Sequence, residues 1–122
     1  MTPSSLNSAR SLNLPDAALA TDPHHVPSYV WLARFRADFE HLTPAQQAAF
    51  LTAVQQFFDD LQRSRVFRQG LRVKRIQGAT GVFEMTWAPD GRATFEYGDE
   101  VIEGESHVVW RRVGSHAVFK TP

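Results

Sequence analysis

The sequence has no cysteine. That excludes disulfides and thiol chemistry and fits a reducing compartment. No apolar run approaches the ~20 residues needed to cross a bilayer. The N-terminus has neither the basic stretch nor the apolar core of a secretory signal. The expectation is a cytoplasmic protein with no membrane role. Net charge is also missing: 13 Lys and Arg offset 13 Asp and Glu. Residues 1–27 hold no aromatic side chain and four prolines, Pro3, Pro15, Pro23 and Pro27. They read as a disordered leader or an upstream start-codon extension, with a short helical turn from Asn13 as an alternative for part of it. His24-His25 has no carboxylate or thiol at ligand spacing, so no metal site is read there.

The 122 residues suffice for one domain, placed here at 28–122. Charge within it is segregated. Arg63 to Arg75 carries six bases and no acid, and Glu96 to Glu105 carries five acids and no base. Local fields are therefore strong although the sum vanishes.

The most legible stretch runs from Gly81 to Tyr97. Pro89-Asp90-Gly91 is turn chemistry, and apolar residues alternate on either side. A three-residue loop would pair Ala88 with Arg92, Trp87 with Ala93, Met85 with Phe95 and Phe83 with Tyr97. Phe83, Met85, Trp87, Phe95 and Tyr97 then share one face, and Glu84 falls opposite Glu96, an unfavourable pair. A ribbon so apolar on one side needs cover. Tyr29 to Leu32 reads as a short opening strand or a first helical turn, and Ala33 to His41 as a short helix. Thr43-Pro44-Ala45-Gln46 is a capped helix start. Phe50, Val54, Phe57, Phe58 and Leu61 then keep helical spacing to about Arg63. Leu71 to Ile76 alternates as a strand, His107 to Val113 is another, and His116 to Phe119 is a last short strand or tail. The fold class is α+β: two N-terminal helices packed on a small antiparallel sheet of about four strands.

Taken in order, the LTPAQQAAF helix entry, the basic LRVKRI strand, the GVFEM hairpin ending in tyrosine, and the VGSHAVF ending resemble the RelE/ParE superfamily of type II toxin–antitoxin toxins. The ending is similar to the YafQ-like and RelE-like C-terminal segment. The resemblance covers roughly Ala33 to Phe119. It implies a toxin that cuts mRNA on the ribosome and so inhibits translation, neutralised by a cognate antitoxin protein. ParE-like members share the fold but inhibit DNA gyrase without nuclease residues. A degenerate member with no toxicity is a further alternative.

By that resemblance, His116 matches the C-terminal catalytic His or Arg, and Arg92 an arginine that supports the transition state. Phe119 matches the terminal aromatic that stacks on a base. Glu84 and Thr86 stand where RelE-like nucleases carry lysines, a departure that favours the gyrase-type and degenerate alternatives. The chemistry itself needs an acid, a base and a cation near the phosphate. Histidine supplies either proton role near neutral pH, and arginine holds the phosphate. The candidate catalytic set is His116, Arg92 and Arg111, with no metal or cofactor called for. A histidine bonded to a carbonyl is the ordinary structural alternative for His116. Arg72, Lys74 and Arg75 are candidates for RNA or rRNA backbone contact, or a solvated edge strand kept soluble by charge. Trp87, Trp110 and Phe83 are read as core.

Overall fold

The computed structural model describes residues 27–122. Apart from Pro27, the leader expected over 1–27 lies outside the described residues, and so does the His24-His25 pair. The elements in order are β1 (Ser28–Trp31), α1 (Ala33–Glu40), α2 (Pro44–Arg63), a 3₁₀ turn (Gln69–Leu71), β2 (Lys74–Arg75), β3 (Phe83–Ala88), β4 (Gly91–Gly98), β5 (His107–Gly114) and a second 3₁₀ segment (His116–Lys120).

Local chemistry accounts for the helix starts and stops. The Thr43 hydroxyl accepts from the Gln46 N–H at 3.1 Å, and the Gln46 side chain accepts from the Thr43 N–H at 2.8 Å. Pro44 occupies the first turn, where its missing N–H costs nothing. One stripe of α2 is buried: Phe50, Ala53, Val54, Phe57, Phe58 and Leu61. At its far end Asp60 receives the Arg68 guanidinium at 2.8 and 2.9 Å and the Arg68 backbone N–H at 2.8 Å. The Arg68 hydrogen bond is the main reason the Asp60 carboxyl sits below its usual value, and burial opposes it.

The sheet corrects two expectations. It has five strands, not about four, in the order β1-β5-β4-β3-β2. It is mixed, because β1 lies parallel to β5, while β2, β3, β4 and β5 pair antiparallel. A parallel pair needs a long crossover. Here the crossover takes in both helices and three strands, a closure that no local pattern announces.

The hairpin register is also corrected. Phe83 pairs with Phe95, Met85 with Ala93, and Ala88 with Gly91, with an irregularity at Trp87. The turn is one residue tighter than expected, and the spare residue is absorbed as a bulge. The net slip is two residues, so Phe83, Met85, Phe95 and Tyr97 still share a face. Glu84 now stands opposite Thr94, and Glu96 opposite Val109, which removes the like-charge pair. The expected strand Leu71 to Ile76 shortens to Lys74–Arg75, because Gln69–Leu71 forms a 3₁₀ turn that ends with Arg72 in the left-handed region. His116 to Phe119 is not a strand but lies in the second 3₁₀ segment, which the Ser115 hydroxyl starts by accepting from the Ala117 N–H at 3.3 Å.

The helices cover one face of the sheet. The core is an aromatic cluster in which Trp110, fully buried, lies with ring centroids 5.1 Å from Phe57, 5.3 Å from Phe95, 5.8 Å from Phe50 and 5.9 Å from Phe35. Tyr29 and Trp31 join it from β1. A second bulge, in β5 at Arg111, separates Trp110 opposite Phe95 from Arg112 opposite Thr94. Trp110 and Val113 therefore both face the helices, while the two arginines between them reach the other side. There Asp38 of α1 takes the Arg112 guanidinium at 2.6 and 3.2 Å and the Val113 N–H at 3.1 Å. Beyond the end of β1, α1 thus serves as the neighbour of β5.

Candidate functional site

The turn between β3 and β4 is built from three residues that fix one another. The Trp87 ring folds back over Gly91, where a Cβ would lie 2.5 Å from a ring carbon. Only glycine fits there. Arg92 then points one guanidinium nitrogen at the turn, donating to the carbonyls of Ala88 at 3.2 Å, Pro89 at 3.3 Å and Gly91 at 2.9 Å. The turn is held from both sides, and Asp90 is presented at its tip.

Gly114 pairs with Arg92 across the sheet, so the residues just after β5 arrive beside this turn. His116 is among them. Its Nδ1 is bonded to the Asp90 carboxylate. The two side chains keep 59% and 72% of their surface exposed. The Phe119 ring meets the imidazole edge-on, with centroids 5.9 Å apart. An exposed histidine fixed by a carboxylate through one nitrogen leaves the other nitrogen able to exchange a proton with a ligand.

Of the residues expected to act together, the structure brings His116, Phe119 and Arg92 to the turn end. Arg92 is engaged by the carbonyls of its own loop. Arg111 lies further along β5. It donates to the Glu96 carboxylate at 2.6 Å and to the main-chain oxygen of Pro122 at 3.0 Å. Arg72, Lys74 and Arg75 stand at the other end of the hairpin, beside the start of β3. All three are exposed. Lys74 pairs in register with Glu84, and the Arg75 guanidinium lies 5.0 Å from the Phe83 ring centroid. The expected site residues therefore fall into two groups at opposite ends of the sheet.

Sequence reasoning missed Asp90 as a site residue. Pro-Asp-Gly signalled the turn, but nothing in the sequence says what the carboxylate faces. It also missed a buried pair at the start of β1 and β5, where the Ser28 hydroxyl and His107 Nδ1 lie 2.6 Å apart. Burial pushes the His107 pKa below its ordinary value, with Asp99 opposing the shift. Among the described residues, no group of three His, Cys, Asp or Glu side chains is placed to hold a metal ion, and no helix is long and apolar enough to cross a membrane.

No protein-family model matches the sequence, and no curated protein matches it significantly. Solved structures do. The architecture, an α+β fold of two helices and a five-stranded sheet, is similar to that of solved YafQ and YoeB/ParE toxins. A chain of the E. coli DinJ–YafQ toxin–antitoxin complex superposes with TM-score 0.58 at 12% identity, over 75% of this chain and 94% of that one. E. coli YafQ alone gives 0.58 at 10% identity, over 75% and 96%. A YoeB/ParE toxin from Agrobacterium tumefaciens gives 0.54 at 12% identity, over 72% and 96%. At these identities the likeness is one of fold.

Proposed function

We propose that this protein is the toxin of a type II toxin–antitoxin system and acts as a ribosome-dependent mRNA endoribonuclease that inhibits translation. The observation that supports this best is the exposed His116 held by Asp90 beside Phe119. With Nδ1 bound to Asp90, Nε2 is the atom that takes the proton from a 2′-hydroxyl or returns one to the leaving oxygen. Asp90 fixes the orientation of the ring. Phe119 supplies a face on which a base stacks. Arg92 acts through the turn it holds, and Arg111 is the cation for the phosphate. Arg72, Lys74 and Arg75 contact the RNA backbone away from the reacting bond. The partners are a cognate antitoxin protein, the ribosome and mRNA.

One observation favours a second reading. Both Arg92 and Arg111 already have internal partners, as they would in a non-nuclease toxin that binds a protein such as DNA gyrase. Induced expression separates the two. For the nuclease we expect growth arrest with new breaks within coding mRNA by primer extension. His116→Ala abolishes both, and Asp90→Asn lowers cleavage by roughly 100-fold, the low end of what a positioned acid–base group contributes. Arrest without breaks sinks the nuclease reading, and a DNA supercoiling assay then tests the gyrase one.

A further inference from the structure

Three arginines and a buried threonine converge on the last two described residues. The main-chain oxygen of Thr121 accepts from Arg112 at 3.1 Å and Arg34 at 3.4 Å. The Thr121 hydroxyl accepts from the same two side chains at 2.8 and 3.2 Å. The main-chain oxygen of Pro122 accepts from Arg111 at 3.0 Å and from the Thr94 hydroxyl at 3.1 Å. Thr94 is fully buried. The donors come from α1, β4 and β5, so the fold itself assembles them.

The two Thr121 oxygens are neutral acceptors and are poorly matched to these donors. Three guanidinium groups face two side-chain carboxylates, Glu96 on Arg111 and Asp38 on Arg112, which leaves Arg34 without an acidic side-chain partner among the described residues. A guanidinium bonds an oxyanion about twice as strongly as a neutral acceptor. The strap is also lightly fastened. Val118 is the one buried side chain of the 3₁₀ segment, and beyond it Lys120 and Thr121 are exposed. Hydrogen bonds, most of them from arginines, hold residues 121 and 122 down.

We propose that Arg34, Arg111, Arg112 and Thr94 form an anion site for a phosphodiester of single-stranded nucleic acid, and that Thr121 and Pro122 occupy it as a displaceable strap. Their oxygens stand where phosphate oxygens go. Arg112 lies opposite Thr94, and Gly114 opposite Arg92. The site is therefore about 7 Å along the strand from the turn that carries Asp90, within reach of the same short oligonucleotide. The inference rests on the nucleic-acid reading above for its ligand, and it gives a role to the contact between Arg111 and Pro122.

The test measures binding, not cleavage. A 2′-deoxy hexanucleotide lacks the 2′-hydroxyl, so its binding is independent of any nuclease activity. Full-length protein and its Thr121→Val variant are titrated with it. The variant keeps the main chain but removes the hydroxyl that two arginines hold. We expect its affinity to rise roughly tenfold, the equivalent of about one contact transferred from strap to ligand. Adding Arg111→Gln to Thr121→Val cancels the rise. Ending the chain at Lys120 gives a larger rise, with cooperative unfolding checked by circular dichroism. Equal affinity of the full-length protein and Thr121→Val overturns the proposal, as does a gain that survives Arg111→Gln. Inorganic phosphate serves as the second probe. A variant that gains phosphate but not oligonucleotide binding overturns the assignment to nucleic acid. If these results hold while RNA stays uncut, the nuclease reading fails and the anion site stands.

Discussion

Gly91 is the residue on which the turn depends. A side chain there meets the Trp87 ring at 2.5 to 2.8 Å, and that ring cannot retreat freely because it packs edge-on against Phe50, centroids 6.2 Å apart. Gly91→Ala is expected to cost about 1–3 kcal/mol, the usual range for overpacking a filled site, read as a lower midpoint in urea. The same change moves Asp90 away from His116, so under the proposed nuclease reading cleavage falls further than stability predicts. At this scale the sequence was half legible. Pro89-Asp90-Gly91 is a turn by the chemistry of its own residues, and the turn is there. The loop length was misjudged because it depends on Trp87 reaching Phe50, a contact 37 positions away in the chain. The His116–Asp90 pair depends in the same way on two strand ends meeting.

Among the elements, α2 was read from the sequence almost residue for residue. Its cap, its first-turn proline and its apolar stripe are all local signals, and local signals suffice for a helix that packs by one face. Thr43→Ala removes the hydroxyl that satisfies the Gln46 N–H. It is expected to cost about 1 kcal/mol and to lower Tm by about 4–8 °C for a domain of this size, measurable by thermal circular dichroism. The strands were less legible. LRVKRI alternates well enough, yet only Lys74 and Arg75 are paired as a strand, opposite Glu84 and Phe83. Alternation shows which residues suit a strand, and pairing is decided by the neighbour. The Arg111 bulge is a second case: two successive arginines between buried Trp110 and Val113 break the alternation, a signal present in the sequence but readable only beside β4.

The whole molecule is closed by one seam, β1 against β5. His107 lies within it, 8% exposed, bonded to the Ser28 hydroxyl, with the Asp99 charge nearby. Burial lowers the histidine pKa in the fold, so below about pH 6.5 the unfolded chain takes up a proton that the folded one resists. Stability is complete above that pH and declines as pH falls through it. Urea denaturation from pH 8 to 5 is expected to show that decline, with a slope of at most about 1.4 kcal/mol per pH unit from this group. His107→Asn should flatten it. The fold class, helix order and hairpin could all be anticipated from local pattern. The fifth strand and its parallel pairing could not, because they join residues that no period or turn connects.

That seam also has a consequence in time. Ser28 and His107 are 79 positions apart. At about 5–20 residues per second, the ribosome needs roughly 4–16 s to make the strand that β1 awaits. Until then Ser28–Trp31 has no strand to pair with, and the sheet that sets Asp90 against His116 is incomplete. The contact between Asp90 and His116 therefore forms late, once β5 has been made.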